Sequence, residues 1–148
     1  MRAAILMVLF LSFLGQSVLA EDVMFQIRGL RNQKGSVHMY AFDTKEREGF
    51  PKNWGQSACH AQGKAQGSAI DLRCDLKLPG QFAIFAYHDE NQNGAMDHNF
   101  FFLPLEGYGF SSGAKGRFGP PDFSAAAIVL IAAGEVQVIK IEYYFDAD

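Results

Sequence analysis

Between Asp89 and Asp97 the chain reads DENQNGAMD, and the spacing of its oxygen-bearing side chains is the feature with the clearest capacity for chemistry. Asp89, Asn91 and Asn93 take the first, third and fifth places, Gly94 the sixth and Asp97 the ninth, with the carbonyl of Ala95 at the seventh. That is the opening of a calcium loop, in which oxygens collect around a hard cation and a glycine permits the sharp bend. The twelfth place, where a bidentate glutamate closes such loops, is Phe100, and two of the early ligands are neutral amides. A site of this charge has the weak affinity of extracellular modules, with a dissociation constant of about 10⁻⁴ to 10⁻³ M; Glu90 or Glu106 can complete it. The same residues have a second reading. Asn93-Gly94 supplies a positive φ for a tight connection, while Asp89, Asn91 and Asp97 accept bonds from nearby backbone amides as Asx turns. Spacing alone leaves ion and turn both open. His88 and His98 flank the loop, but without a cysteine or a His-x-x-x-His pair beside them they do not make a zinc site.

A second candidate is the stretch LPLEGYGFSSGAKGRFGPPDF. Tyr108, Phe110, Phe118 and Phe123 alternate there with Lys115 and Arg117. Exposed, the group Tyr108, Phe110, Lys115, Arg117 and Phe118 is an aromatic and cationic surface able to stack a sugar or hold an anion. Packed, the same rings form a satellite core beneath their loop. Trp54 carries the same two readings. Within the stretch GFSSG satisfies G-x-S-x-G, but a nucleophile elbow needs a strand before Ser111 and a helix after it, and glycine-rich loop flanks it on both sides. GYG lacks a third glycine and a βαβ setting, so no dinucleotide site follows. A hydrolase would have to draw on Glu106, His88 or Asp89, and no nucleophile, base and orienting group can be placed together. His38 and His60 read as strand-surface and loop residues without evident partners.

The elements that must position these residues are strands. AIDLRCDLKL alternates Ile70, Leu72, Cys74, Leu76 and Leu78 against charged residues, the period of a strand with one wet face. After the Pro79-Gly80 turn, QFAIFAYH is apolar on both sides and reads as a fully buried strand. VMFQIRGL and SVHMYAFD, linked through Asn32, Lys34 and Gly35, predict one hairpin. AAAIVLI and VQVIKIEYYF, around Ala133-Gly134-Glu135, predict another. EREGFPKNW suits a short helical turn, GQSACHAQGKAQGS reads as loop, and no segment of the mature chain holds a helical period. Six or so strands with glycine-rich links make an all-β sandwich, with the aromatic glycine-rich stretch as one long loop.

Of the 148 residues, the first twenty read as a signal peptide: Arg2, a short apolar run, then Val18 and Ala20 as small residues before the cut. Residues 21–148 then form one domain. Glu21 after the cut is not a lipidated cysteine, and no later run is long and apolar enough to span a bilayer, so no membrane anchor is expected. The expected location is the periplasm or the extracellular space. Net charge is −3 for the whole chain, and loss of Arg2 leaves −4; without a Lys/Arg cluster, nucleic acid is not an expected partner. Cys59 and Cys74 are the only cysteines, and export makes a bridge between them a candidate beside a lone buried thiol at Cys74.

GLRNQKGSVHMYAFD with GFP after it, LPGQFAIFAYHDENQNGAMD, and PLEGYGFSSGAKGRFGPPDF together resemble the bacterial exported family known as domain of unknown function 2141, from about Val23 to Tyr143. The resemblance implies an immunoglobulin-like or transthyretin-like antiparallel β-sandwich of about six or seven strands, outside the cytoplasm, with no established activity. Two positions depart from the family pattern. Its PPG-Tyr turn is Leu78-Pro79-Gly80-Gln81-Phe82 here, which removes a hydroxyl, and its Asn-Gly-Asn-Gly core is Asn91-Gln92-Asn93-Gly94, which keeps both amides. The expected function is a non-catalytic exported accessory or binding module whose partner is a protein or a glycan, with calcium as the candidate cofactor.

Overall fold

The structure is a computed structural model that describes residues 19–145; the signal peptide reading lies almost wholly outside the described residues. Eight strands run β1 (Ala20–Arg28), β2 (Ser36–Asp43), β3 (Cys59–Lys64), β4 (Ala69–Lys77), β5 (Gly80–Asp89), β6 (Gly107–Phe110), β7 (Ala127–Leu130) and β8 (Gln137–Lys140). A single helical turn, α1 (Phe123–Ala126), precedes β7. Short 3-10 turns at Arg47–Gly49 and Trp54–Gln56 fill the stretch expected to hold a helical turn. Three strands form one sheet in the order β4-β1-β8. The other sheet runs β3-β2-β5-β6, with β7 following β6 along the same side of β5.

Alternation decides which side chains fill the space between the sheets. Val23, Phe25 and Ile27 of β1 and Leu72, Cys74 and Leu76 of β4 meet Val37, Met39 and Ala41 of β2 and Phe82, Ile84 and Ala86 of β5. Asp71, Arg73, Asp75 and Lys77 stay outside, as their period-two spacing requires. The bridge Cys59–Cys74, with Cα atoms 6.0 Å apart, ties the edge strand β3 of one sheet to the edge strand β4 of the other.

β5 is buried on both faces, as its unbroken apolar run predicts. Its outer face packs Ala83, Phe85 and Tyr87 against Tyr40, Phe42, Phe50, Phe110 and Phe123 in a second cluster. The stretches after β2 and β6 cover this cluster, which is why so many aromatics sit in connecting segments.

The structure differs from the sequence reading at four points. β1 and β2 do not pair: β1 lies between β4 and β8, and the seven-residue link that joins it to β2 carries buried Leu30 between the sheets. That link is longer than the two to five residues of a tight hairpin. β7 and β8 likewise part, β7 to β5 and β8 parallel to β1. CHAQGK, read as loop, is the edge strand β3; backbone pairing with β2 and the disulfide hold it, so its small polar side chains give little signal. GYGF, also read as loop, is β6. A Cβ on Gly109 would lie 2.0 Å from the Lys140 carbonyl oxygen, so glycine here is the condition for the C-terminal chain to cross the sheet.

Candidate functional site

Asp89 is the last residue of β5, and its carboxylate is buried at the root of the loop that follows. One oxygen accepts the Asn93 amide at 3.2 Å and the other the Gly94 amide at 2.9 Å. Asn91 Oδ1 accepts the Asn93 amide at 3.0 Å, and Asn93 Oδ1 the Ala95 amide at 2.8 Å. These are stacked Asx turns, and Gly94, at φ +74°, takes the left-handed bend that the sixth place requires. Asp97 folds back onto the turns: Asn91 Nδ2 donates to its carboxylate at 2.6 Å, and Asn93 Nδ2 at 2.9 and 3.1 Å. The four side chains that spacing singled out therefore meet in space. Among the described residues, no three His, Cys, Asp or Glu side chains are grouped to hold a metal by themselves. An ion here would depend on the amide oxygens of Asn91 and Asn93 and the carbonyl of Ala95.

Glu106, just before β6, clamps the loop at both ends, accepting the Glu90 amide at 3.0 Å and the Asp97 amide at 3.2 Å. Burial pushes its carboxyl up to about 6; the two amides oppose the shift, and the Asp89 and Asp97 charges add to it. Glu90 faces away from the loop. Burial raises its carboxyl, but Arg31 at 3.0 Å together with Asn32 outweighs that effect and leaves it below the usual carboxylate range. Of the two acids able to complete an oxygen site, Glu106 is the one bonded to the loop.

Behind Asp89 lies a cluster that sequence reading missed. His38 and His60 were expected at a strand surface and in a loop, yet His38 is buried, and its Nδ1 lies 3.2 Å from His60 Nε2. Its Nε2 lies 3.1 Å from Ser36 Oγ and 3.6 Å from Asp89 Oδ2. The rings stack with their neighbours: His38 on Tyr87 at 5.0 Å, His60 on Tyr40 at 4.3 Å, and Trp54 over Tyr40 and Tyr87 at 5.0 and 5.1 Å. Burial, reinforced by His60, holds His38 below the ordinary histidine value against the pull of Asp89, and burial lowers His60 too. The available signal was register: His38 shares a face with Tyr40, and β5 carries Tyr87 and Asp89 at matching alternate positions.

The aromatic stretch is divided rather than gathered. Phe110 is buried against Phe85 and Phe50, 5.3 and 5.9 Å between centroids, and Tyr108 is half-buried in β6. Lys115 is exposed and pairs with Glu142 at 2.6 Å; Arg117 is exposed. Phe118 is 99 % exposed and lines an open cleft of about 520 Å³ with Phe50, Pro51, Lys52, Glu48 and Asp122. Ser111 of GFSSG is buried: its Oγ accepts the Ile84 amide at 2.8 Å and donates to the Ala126 carbonyl, filling the gap between β6 and β7 along β5. His88 is committed to Tyr143 Oη at 2.6 Å and to the Lys34 carbonyl at 2.7 Å.

Fold and site together define a two-sheet, disulfide-bridged β domain with an acid-and-amide loop at one end of its larger sheet. The chain belongs to the family described as an uncharacterized protein conserved in bacteria, DUF2141, whose family model matches residues 25–139. Neither a curated protein nor a solved structure matches it.

Proposed function

We propose that the protein is an exported, non-catalytic β-sandwich module that binds an extracytoplasmic partner, with its 89–97 loop ordered by calcium. The arrangement behind this reading is the convergence of Asp89, Asn91, Asn93 and Asp97 on one bend, with Gly94 in the conformation a calcium loop needs. In this reading the ion draws the Asp97 carboxylate and the amide oxygens inward, replacing the two amide donors that now hold Asp97. Its role is to stiffen one end of the sandwich. Of the two sandwich types, the transthyretin-like one is the better fit: an immunoglobulin constant domain keeps its first two strands in one sheet, whereas β1 and β2 here belong to different sheets. Calcium titration followed by thermal melting tests the reading. Wild type should melt higher in 5 mM calcium than in chelator, and Asp97→Ala should not respond; equal melting of wild type in both buffers removes the ion.

A second reading rests on Phe118. An exposed ring beside a cleft that also carries Glu48, Lys52 and Asp122 suits a carbohydrate, which stacks on aromatic faces and bonds to charged side chains. A glycan array probed with wild type and Phe118→Ala separates it: binding that survives the substitution removes the cleft from the site.

A further inference from the structure

Three consecutive phenylalanines, Phe100, Phe101 and Phe102, are 90, 75 and 86 % exposed at the tip of a hairpin that rises from the 89–97 loop. Isolated exposed apolar residues are ordinary; three adjacent large rings presenting on the order of 500 Å² are not. The tip is also built firmly. His98 and Pro104 bridge its base, and the Asn99 and Leu105 amides donate to the Leu103 and Asp97 carbonyls, both at 2.9 Å. Asn99 organises the bend: its Oδ1 accepts the Phe101 and Leu103 amides at 2.9 and 3.0 Å, and its carbonyl accepts the Phe102 amide at 2.9 Å. Phe102 holds a φ of +59°, a conformation uncommon for a bulky residue, and so keeps the three rings displayed.

We propose that this tip inserts into the surface of a neutral, zwitterionic lipid bilayer and seats the domain there reversibly. Three observations select that occupant. The amides of Asn99, Phe101, Phe102 and Leu103 are bonded within the hairpin and Pro104 has none, so the Phe100 amide is the one donor at the tip left to bond in the wet headgroup layer. The area is well below the roughly 800 Å² per partner of a standard protein interface, which disfavours a second copy of the chain. The loop and hairpin, residues 90–105, carry no lysine or arginine to attract anionic headgroups, and the half-buried Asp97 carboxylate disfavours them, which leaves uncharged headgroups as the fitting surface. This is an interfacial contact, distinct from an anchor: no helix among the described residues is long and apolar enough to cross a membrane.

Co-sedimentation with phosphatidylcholine vesicles, in chelator and in calcium, tests the proposal. Wild type is expected to pellet with lipid, and the triple substitution Phe100→Ser, Phe101→Ser, Phe102→Ser to lose at least tenfold in partitioning, since burying each ring is worth about that factor or more. Ile131→Ser, a comparably exposed apolar residue near the other end of β5, serves as the control and should partition like wild type. Both variants should melt as wild type does, because the replaced side chains have little packing to lose. Wild type left in the supernatant at millimolar lipid overturns the proposal. So does pelleting of the triple variant at wild-type level, or binding confined to vesicles containing phosphatidylglycerol.

Discussion

Replacing Glu106 by Gln should reshape the dependence of stability on pH, and the sign follows from its place in the loop. Its carboxyl sits near 6 in the fold against 4.5 for an ordinary glutamate, chiefly because it is buried. Between those values the folded chain binds more protons at this group than the unfolded chain, so its contribution to stability is fully present below pH 4.5 and is lost as pH rises through 6. A separation of one and a half pH units corresponds to about 2 kcal/mol. His38 and His60 work in the opposite direction: held below 6.5, they favour the fold above that pH and weaken it as pH falls. The wild-type profile therefore contains opposing slopes, and the difference between wild type and Glu106→Gln isolates the carboxyl. Urea unfolding of both proteins in chelator, from pH 4 to 7.5, should show the variant gaining about 2 kcal/mol relative to wild type across the range, whatever its offset at pH 4 from losing one amide acceptor. Parallel profiles would refute the assignment of Glu106 as a buried clamp.

Reducing the Cys59–Cys74 bridge, which spans 15 positions, should cost roughly 3 kcal/mol by the loop-closure argument, or about 10 °C in melting temperature for a domain of this size, read by calorimetry with and without dithiothreitol. Ser111→Ala should destabilise by about 1 to 3 kcal/mol because the Ile84 amide and Ala126 carbonyl lose their buried partner. The exposed neighbour Ser112→Ala should stay within about 0.5 kcal/mol in the same denaturant titration.

The strands legible in the sequence were those whose side chains decide their own environment. β4 alternates cleanly because one face meets Phe25 and Ile84 while the other meets water, and β5 is apolar throughout because a cluster lies on each face. β3 and β6 were not legible: backbone pairing, a disulfide and two glycines under a crossing strand hold them, and none of these leaves a hydrophobic period. Strand partners were misjudged for a related reason. Adjacent strands in a sandwich can pair or can face each other across the core, and alternation is the same in both; only the link, with Leu30 carried inward, separates the two.

At the site, the convergence of Asp89, Asn91, Asn93 and Asp97 was readable because all four lie within nine residues and act through local Asx geometry. The His38–His60 contact was not, since it depends on a β2–β3 pairing that the sequence hid. The sequence left Phe110 open between an exposed and a packed ring, because its burial depends on Phe50, sixty positions away in a stretch read separately. Phe100 entered only as the missing twelfth ligand, and the apolar character of its two neighbours was overlooked.

In the proposed reading, the bend formed by Asp89, Asn91, Asn93 and Asp97 takes up a calcium ion. Equilibrium dialysis of the purified domain against radioactive calcium measures this directly. One ion per chain, half-saturating between about 0.1 and 1 mM and lost in Asp97→Ala, is the predicted result. No bound calcium at 5 mM, or uptake unchanged by the substitution, would contradict it.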